Sequence, residues 1–145
     1  MRRTRRSQAG VTLIEMLVVV TIMGLFAFFV LPKFMGQADK AKVTAARTQI
    51  ASYVTALSAY KLDVGTFPTT EQGLQALRTP PEGVANWQGP YIAQDVAPDP
   101  WGHPYVYKFP GDHGDEPDLI SYGGDGKPDG EGYNADIVSW KATRQ

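Results

Sequence analysis

The sequence predicts an α+β protein in which a long amino-terminal helix, part transmembrane and part amphipathic, packs on a small antiparallel sheet of about three strands. Three observations carry this prediction. Residues 11–31 are apolar almost without interruption. Val43, Ala46, Ile50, Tyr53, Val54, Leu57 and Tyr60 then recur at steps of three or four, the spacing of one helix face. Finally, residues 105–109, 119–122 and 137–140 are β-rich runs set between clusters of Gly, Pro and Asp.

The apolar run would make a helix of about 32 Å, which matches a bilayer core of about 30 Å. Arg2, Arg3, Arg5 and Arg6 stand just before it. By the positive-inside preference they stay in the cytoplasm, so the chain beyond Leu31 lies outside the inner membrane. An ordinary cleaved signal peptide fits poorly, because the run is long, no A-x-A site follows, and Pro32-Lys33-Phe34-Met35 leads into more helix. The amphipathic stretch that follows sets Lys40, Lys42, Arg47, Gln49, Ser52 and Ser58 opposite its apolar stripe and ends at Gly65. Pro32 and Gly36 are expected to kink or loosen the junction, since proline removes a backbone donor. The two stretches together suggest one bent helix of about 50 residues and roughly 75 Å. Three segments result: a leader over 1–10, an assembly helix over 11–31, and a head over 32–145 that includes the second half of the helix.

Within the head, Thr69-Thr70-Glu71-Gln72 offers a capping box for a short helix carrying Leu74 and Leu77, which Pro80 and Pro81 end. The stretch 80–104 has many prolines and little periodicity, but Trp87, Tyr91 and Trp101 predict an ordered loop held by its aromatics. The head is small, and with no cysteine in the chain no disulfide can staple it. Four of the 14 basic residues lie in the leader, so the remainder carries ten against 15 acidic residues. That balance argues against a nucleic-acid partner and leaves room for a cation.

Two places could carry chemistry. Glu15 is a carboxylate inside an apolar run, where a charge costs roughly 2.5 to 3.5 kcal/mol at the bilayer centre and less near an end, so it needs a compensating partner. The second place is residues 122–136, where four carboxylates and several glycines alternate. Hard oxygen donors at that density suit Ca²⁺. With Asp125 at position one, Asp129, Gly130 and Asp136 fall at five, six and twelve of an EF-hand loop, but Lys127 occupies the third ligand position and no helices flank the segment. Spacing alone leaves two readings open: a calcium loop, or a turn-rich loop whose acids face water. His103 and His113 read as surface or turn residues, and Trp101 and Tyr105 as loop anchors rather than a partner surface. No phosphate-binding loop or hydrolase elbow is present in the sequence, so energy for assembly must come from another protein.

Gly10-Val11-Thr12-Leu13-Ile14-Glu15 resembles the cleavage region of type IV pilin-like precursors. The resemblance implies that a prepilin peptidase cuts after Gly10 and methylates the new amino terminus at Val11. It also implies that Glu15 pairs with the terminal amine of a neighbouring subunit, as a register device for assembly. Further along, Asp63-x-Gly65-x-Phe67-Pro68-Thr69-Thr70-Glu71-Gln72-Gly73-Leu74, Asp99-Pro100-Trp101-Gly102-x-Pro104-Tyr105 and Ser121-Tyr122-Gly123-x-Asp125-Gly126 resemble the major pseudopilins of bacterial type II secretion systems. That family implies a type IV pilin-like fold and a single-pass protein of the inner membrane with its head in the periplasm. It further implies a homopolymeric filament, working with minor pseudopilins, an inner-membrane platform and a cytoplasmic ATPase to export folded proteins. By the same resemblance one structural Ca²⁺ is held by Asp125 and Asp136 and by the carbonyls of Tyr122, Lys127 and Gly130, while Asp129 either adds a ligand or faces solvent. Pro32 would mark a flexible helix segment. The rival readings are a type IV pilin for adhesion, motility or DNA uptake, which usually carries a disulfide loop, and a membrane-tethered periplasmic calcium-binding module.

Overall fold

The computed structural model describes residues 11–142, so Gly10 and the rest of the leader lie outside the described residues. Helix α1 spans Leu13–Val64 without a break in its assignment at Pro32 or Gly36. Its start is capped locally: the Glu15 backbone N–H donates to the Thr12 hydroxyl at 3.3 Å. Glu15 also sits in the first turn, where the exposed amide groups of a helix favour negative charge. The chain divides after Ala38 into two units, each compact by itself.

The first unit is helix with its apolar side chains uncovered, Leu13 being 85% and Phe28 76% exposed. Among the described residues no helix is long and apolar enough to cross a membrane. The described side chains of this run end at Phe29, while the apolar sequence continues through Val30 and Leu31.

The second unit holds the core. The predicted stripe of α1 is its spine: Ala46, Ile50, Tyr53, Leu57 and Tyr60 are buried, with Val43 and Val54 partly so. They pack with Phe67, Leu74, Leu77, Tyr107, Leu119 and Ile137. Burying a large apolar side chain is worth roughly 1.5 to 3 kcal/mol, so this stripe outweighs any single polar contact in choosing the helix face that turns inward. α1 ends at Gly65, whose φ of 93° suits glycine and whose N–H donates to the Lys61 carbonyl at 2.8 Å.

The predicted capping box closes in both directions. The Gln72 N–H donates to the Thr69 hydroxyl at 3.3 Å, and the Thr69 N–H to the Gln72 side-chain oxygen at 2.9 Å. The element it opens onto is only a short 3₁₀ turn, Leu74–Leu77. The loop that follows is pinned by its aromatics: the Trp87 indole donates to the Ala76 carbonyl at 2.8 Å, and the Tyr91 hydroxyl to Asp63 at 2.9 Å. Gly89 lies against Trp87, where an added Cβ would come within 2.5 Å of the ring.

Three antiparallel strands, β1 (Val106–Lys108), β2 (Asp118–Ser121) and β3 (Ile137–Val138), form one sheet in the order β1-β2-β3. β1 and β3 are shorter than the sequence predicts, because side chains take over backbone partners beside them, whereas β2 keeps its four residues but begins one residue earlier, at Asp118. The Phe109 N–H donates to the Thr70 hydroxyl and the Phe109 carbonyl accepts from it, each at 3.0 Å, which stops β1 at Lys108. Past β3, the Ser139 hydroxyl accepts the Leu119 N–H at 3.1 Å, and Ser139–Ala142 turns into a single helical turn, α2. Trp140 is therefore helical rather than part of a strand.

Candidate functional site

Residues 122–136 join β2 to β3, and the register pairs Ser121 with Ile137, so the sheet itself closes the neck of this loop. Within the loop the backbone turns through positive φ four times, at Gly123 (64°), Gly126 (65°), Asp129 (66°) and Gly132 (62°). Asp129 occupies this region without being a glycine, a conformation Asp tolerates better than most residues. Two short 3₁₀ turns, Gly123–Asp125 and Gly132–Asn134, form the limbs. The limbs meet at Asn134. An added Cβ on Gly123 would come within 2.8 Å of the Asn134 carbonyl group, one on Gly124 within 2.8 Å of its side-chain oxygen, and one on Gly130 would run into the carbonyl oxygen itself.

The carboxylates of this loop have different partners. Asp125 is exposed and accepts the Lys127 N–H at 3.2 Å. Asp136 accepts the Asp129 N–H at 3.2 Å through Oδ2, whereas its Oδ1 is buried with no hydrogen-bond partner. Asp129 is thus joined to Asp136 through its backbone, and its own side chain lies at an exposed position. A carboxylate oxygen only accepts, and burying one without a donor costs free energy that a bound cation would remove. The loop residues therefore fit a hard, oxygen-seeking ion. Among the described residues no group of three or more His, Cys, Asp or Glu is arranged to hold a metal, so an ion here would draw on backbone carbonyls as well as carboxylates.

The neck of the loop is braced from residues 99–103. Asp99 is 4% exposed and accepts three hydrogen bonds: from the Trp101 N–H at 3.1 Å, the His103 N–H at 2.8 Å and the Ser121 hydroxyl at 2.6 Å. The Asp-Pro-x-Gly order of residues 99–102 is an Asx-turn signature that would have pointed to it. His103 does lie in a turn, as expected, but its Nδ1 is 3.2 Å from the Gly123 carbonyl. His113 has partners too: Nδ1 is 2.8 Å from buried Asp118, and its ring stacks on Trp140 at 3.7 Å. Asp118 also accepts the Asp112 N–H at 2.8 Å. A hydrogen bond from Lys108, and then that residue's charge, holds the Asp112 carboxyl below its usual range. Trp101 and Tyr105 pack against the core, as anchors rather than as a free surface.

In the first unit, Val11 is 60% exposed and Glu15 is exposed one helical turn further on. Pro32 lies within α1.

Two families match. That described as type II secretion system (T2SS), protein G covers residues 33–140, and the prokaryotic N-terminal methylation motif covers residues 5–31. The type II secretion system core protein G of Pseudomonas aeruginosa is 45% identical over 139 residues, spanning 94% of this chain and 97% of that protein. That of Vibrio cholerae is 45% identical and covers 93% of each chain. The crystal structure of the major pseudopilin from the type 2 secretion system of enterohaemorrhagic Escherichia coli superposes with a TM-score of 0.65 at 35% identity, over 76% of this chain and 92% of that one.

Proposed function

The chain belongs to the type II secretion system protein G family and is a structural subunit of the type II secretion pseudopilus, and from that premise we propose how its parts serve the assembly. It works within a multi-subunit assembly as a membrane-anchored periplasmic protein. In the proposal, residues 11–31 cross the inner membrane once, with the head in the periplasm. A prepilin peptidase cuts after Gly10, and Val11 becomes the N-methylated amino terminus. Copies then leave the bilayer and polymerise through their helices, Glu15 of each pairing with the terminal amine of a neighbour, with Pro32 marking a yielding segment of α1. The role is structural rather than catalytic. Minor pseudopilins and an inner-membrane platform complete the machine, and another protein supplies the energy.

One observation carries this reading: the first unit exposes Leu13, Ile14, Leu17, Phe26 and Phe28 with a lone carboxylate, Glu15, at the helix start. Water is a poor solvent for that surface, whereas a bilayer first and neighbouring helices afterwards can cover it. In the head, one Ca²⁺ held by Asp125, Asp136 and the carbonyls of Tyr122, Lys127 and Gly130, with Asp129 beside them, would neutralise the carboxylates and lock the loop. The buried Asp136 Oδ1 supports that assignment. Mass spectrometry of the membrane-purified protein tests the processing: a chain beginning at N-methylated Val11 is expected. One that retains residues 1–10, or begins beyond Leu31, would overturn it.

A further inference from the structure

We propose that His103 is the positioning residue of the 122–136 loop, setting the backbone on which its ion sits. The inference rests on the calcium reading above. Ser121 and Gly123, at the loop entrance, are both held from the 99–103 turn. The Ser121 hydroxyl donates to Asp99 at 2.6 Å and in turn lies 3.4 Å from the Gly123 N–H, while the Gly123 carbonyl faces His103 Nδ1 at 3.2 Å. A carbonyl oxygen can only accept, so His103 must donate, and this contact fixes the proton on Nδ1. The same ring lies against Gly126, where an added Cβ would come within 3.0 Å of Nε2. Gly126 stands between Asp125 and Lys127, two of the proposed ligand residues, so the imidazole braces the loop on both sides of Asp125. The His103 backbone is itself anchored, its N–H donating to Asp99 at 2.8 Å. Residues that orient metal ligands without touching the metal typically change its affinity about 10- to 100-fold when removed.

The geometry separates a donor role from mere filling of space. Asparagine places an N–H near the position of Nδ1, whereas phenylalanine keeps a ring against Gly126 but donates nothing. Calcium binding to the detergent-solubilised full chain, measured by titration calorimetry, is expected to weaken about 10-fold or more in His103→Phe. His103→Asn should retain most of the affinity. Melting in the presence of a chelator should be close to that of the unsubstituted chain for both. If His103→Phe binds calcium as tightly as the unsubstituted chain, or His103→Asn loses as much affinity as His103→Phe, the positioning role is wrong. If the unsubstituted chain binds no calcium, the calcium reading itself falls, and that result is distinct from either of the others.

Discussion

Asp136 holds the Asp129 backbone N–H with one carboxylate oxygen, at 3.2 Å, and keeps its other oxygen buried with no hydrogen-bond partner. The contact fixes Asp129 at a φ of 66° and leaves an unspent acceptor inside the loop. If a calcium ion uses that acceptor, a chelator should lower the melting temperature of the full chain and added calcium should restore it. At a free concentration about 100 times its dissociation constant, the ion would add about 2.7 kcal/mol. Asp125→Ala and Asp136→Ala should each abolish most of this calcium-dependent gain in a thermal melt. Equal gains in the unsubstituted chain and both variants would show that the ion sits elsewhere or nowhere.

Glu15 has a local task and a proposed intermolecular one, and a pair of substitutions separates them. Locally it occupies the first turn of α1, with its N–H on the Thr12 hydroxyl. Glu15→Gln keeps the polar side chain but removes the charge, so insertion into the membrane should persist while filament yield falls at least 10-fold if a charge-assisted pair with a neighbour's amine sets the register. Thr12→Ala removes only the cap and should cost about 1 kcal/mol of local helix stability with filaments still forming. Normal filaments from Glu15→Gln, scored by electron microscopy and by secretion, would refute the pairing.

Asp99→Ala should destabilise the head by about 3 kcal/mol or more, because it leaves the Trp101 and His103 N–H groups and the Ser121 hydroxyl without their buried acceptor. Ser121→Ala removes one of the three donors and should cost less, about 1 kcal/mol. Denaturant titration of the two variants in detergent checks the ranking. A smaller loss for Asp99→Ala than for Ser121→Ala would mean that the carboxylate is not the hub.

Alkaline pH should weaken the head. Burial, first of all, pushes the Tyr105 and Tyr107 hydroxyls well above their ordinary value of 10.0, with nearby Asp99 and Tyr53 adding to it at Tyr105 and Tyr60 at Tyr107. Tyr60 and Tyr91 are raised in the same direction. In each case the folded chain keeps a proton that the unfolded chain gives up. The associated stability is therefore complete below about pH 10 and is lost as pH rises through the window between the unfolded and folded values. Tyr107→Phe should cost about 1 kcal/mol at neutral pH, through the lost hydrogen bond to the Pro68 carbonyl. It should also flatten the alkaline fall in stability, and an unchanged slope would show that Tyr107 does not contribute to it.

The parts of the fold governed by repeating patterns were legible in the sequence. The three-and-four spacing of Ala46, Ile50, Tyr53, Leu57 and Tyr60 names the buried face of α1 correctly, and Thr69 with Gln72 forms the expected reciprocal cap. Strand ends were not legible, because they depend on partners distant in sequence. Phe109 is taken by Thr70 and Leu119 by Ser139, and no local propensity announces either exchange. The acid-rich loop was visible from its composition, yet its brace was not. Asp99 and His103 come from a turn some twenty residues upstream, and only folding brings them to Ser121 and Gly123. The cap at Glu15 was not legible for a different reason: a single threonine at the start of an apolar run carries no pattern that separates a helix cap from one more residue of the run.

The Asp99 knot does work that a small secreted head commonly assigns to a covalent cross-link, tying a turn to a strand end 22 residues away. It is made of hydrogen bonds alone and needs no oxidant and no disulfide pairing to be sorted. With no cysteine in the chain, the head is therefore indifferent to the thiol chemistry of whatever compartment receives it.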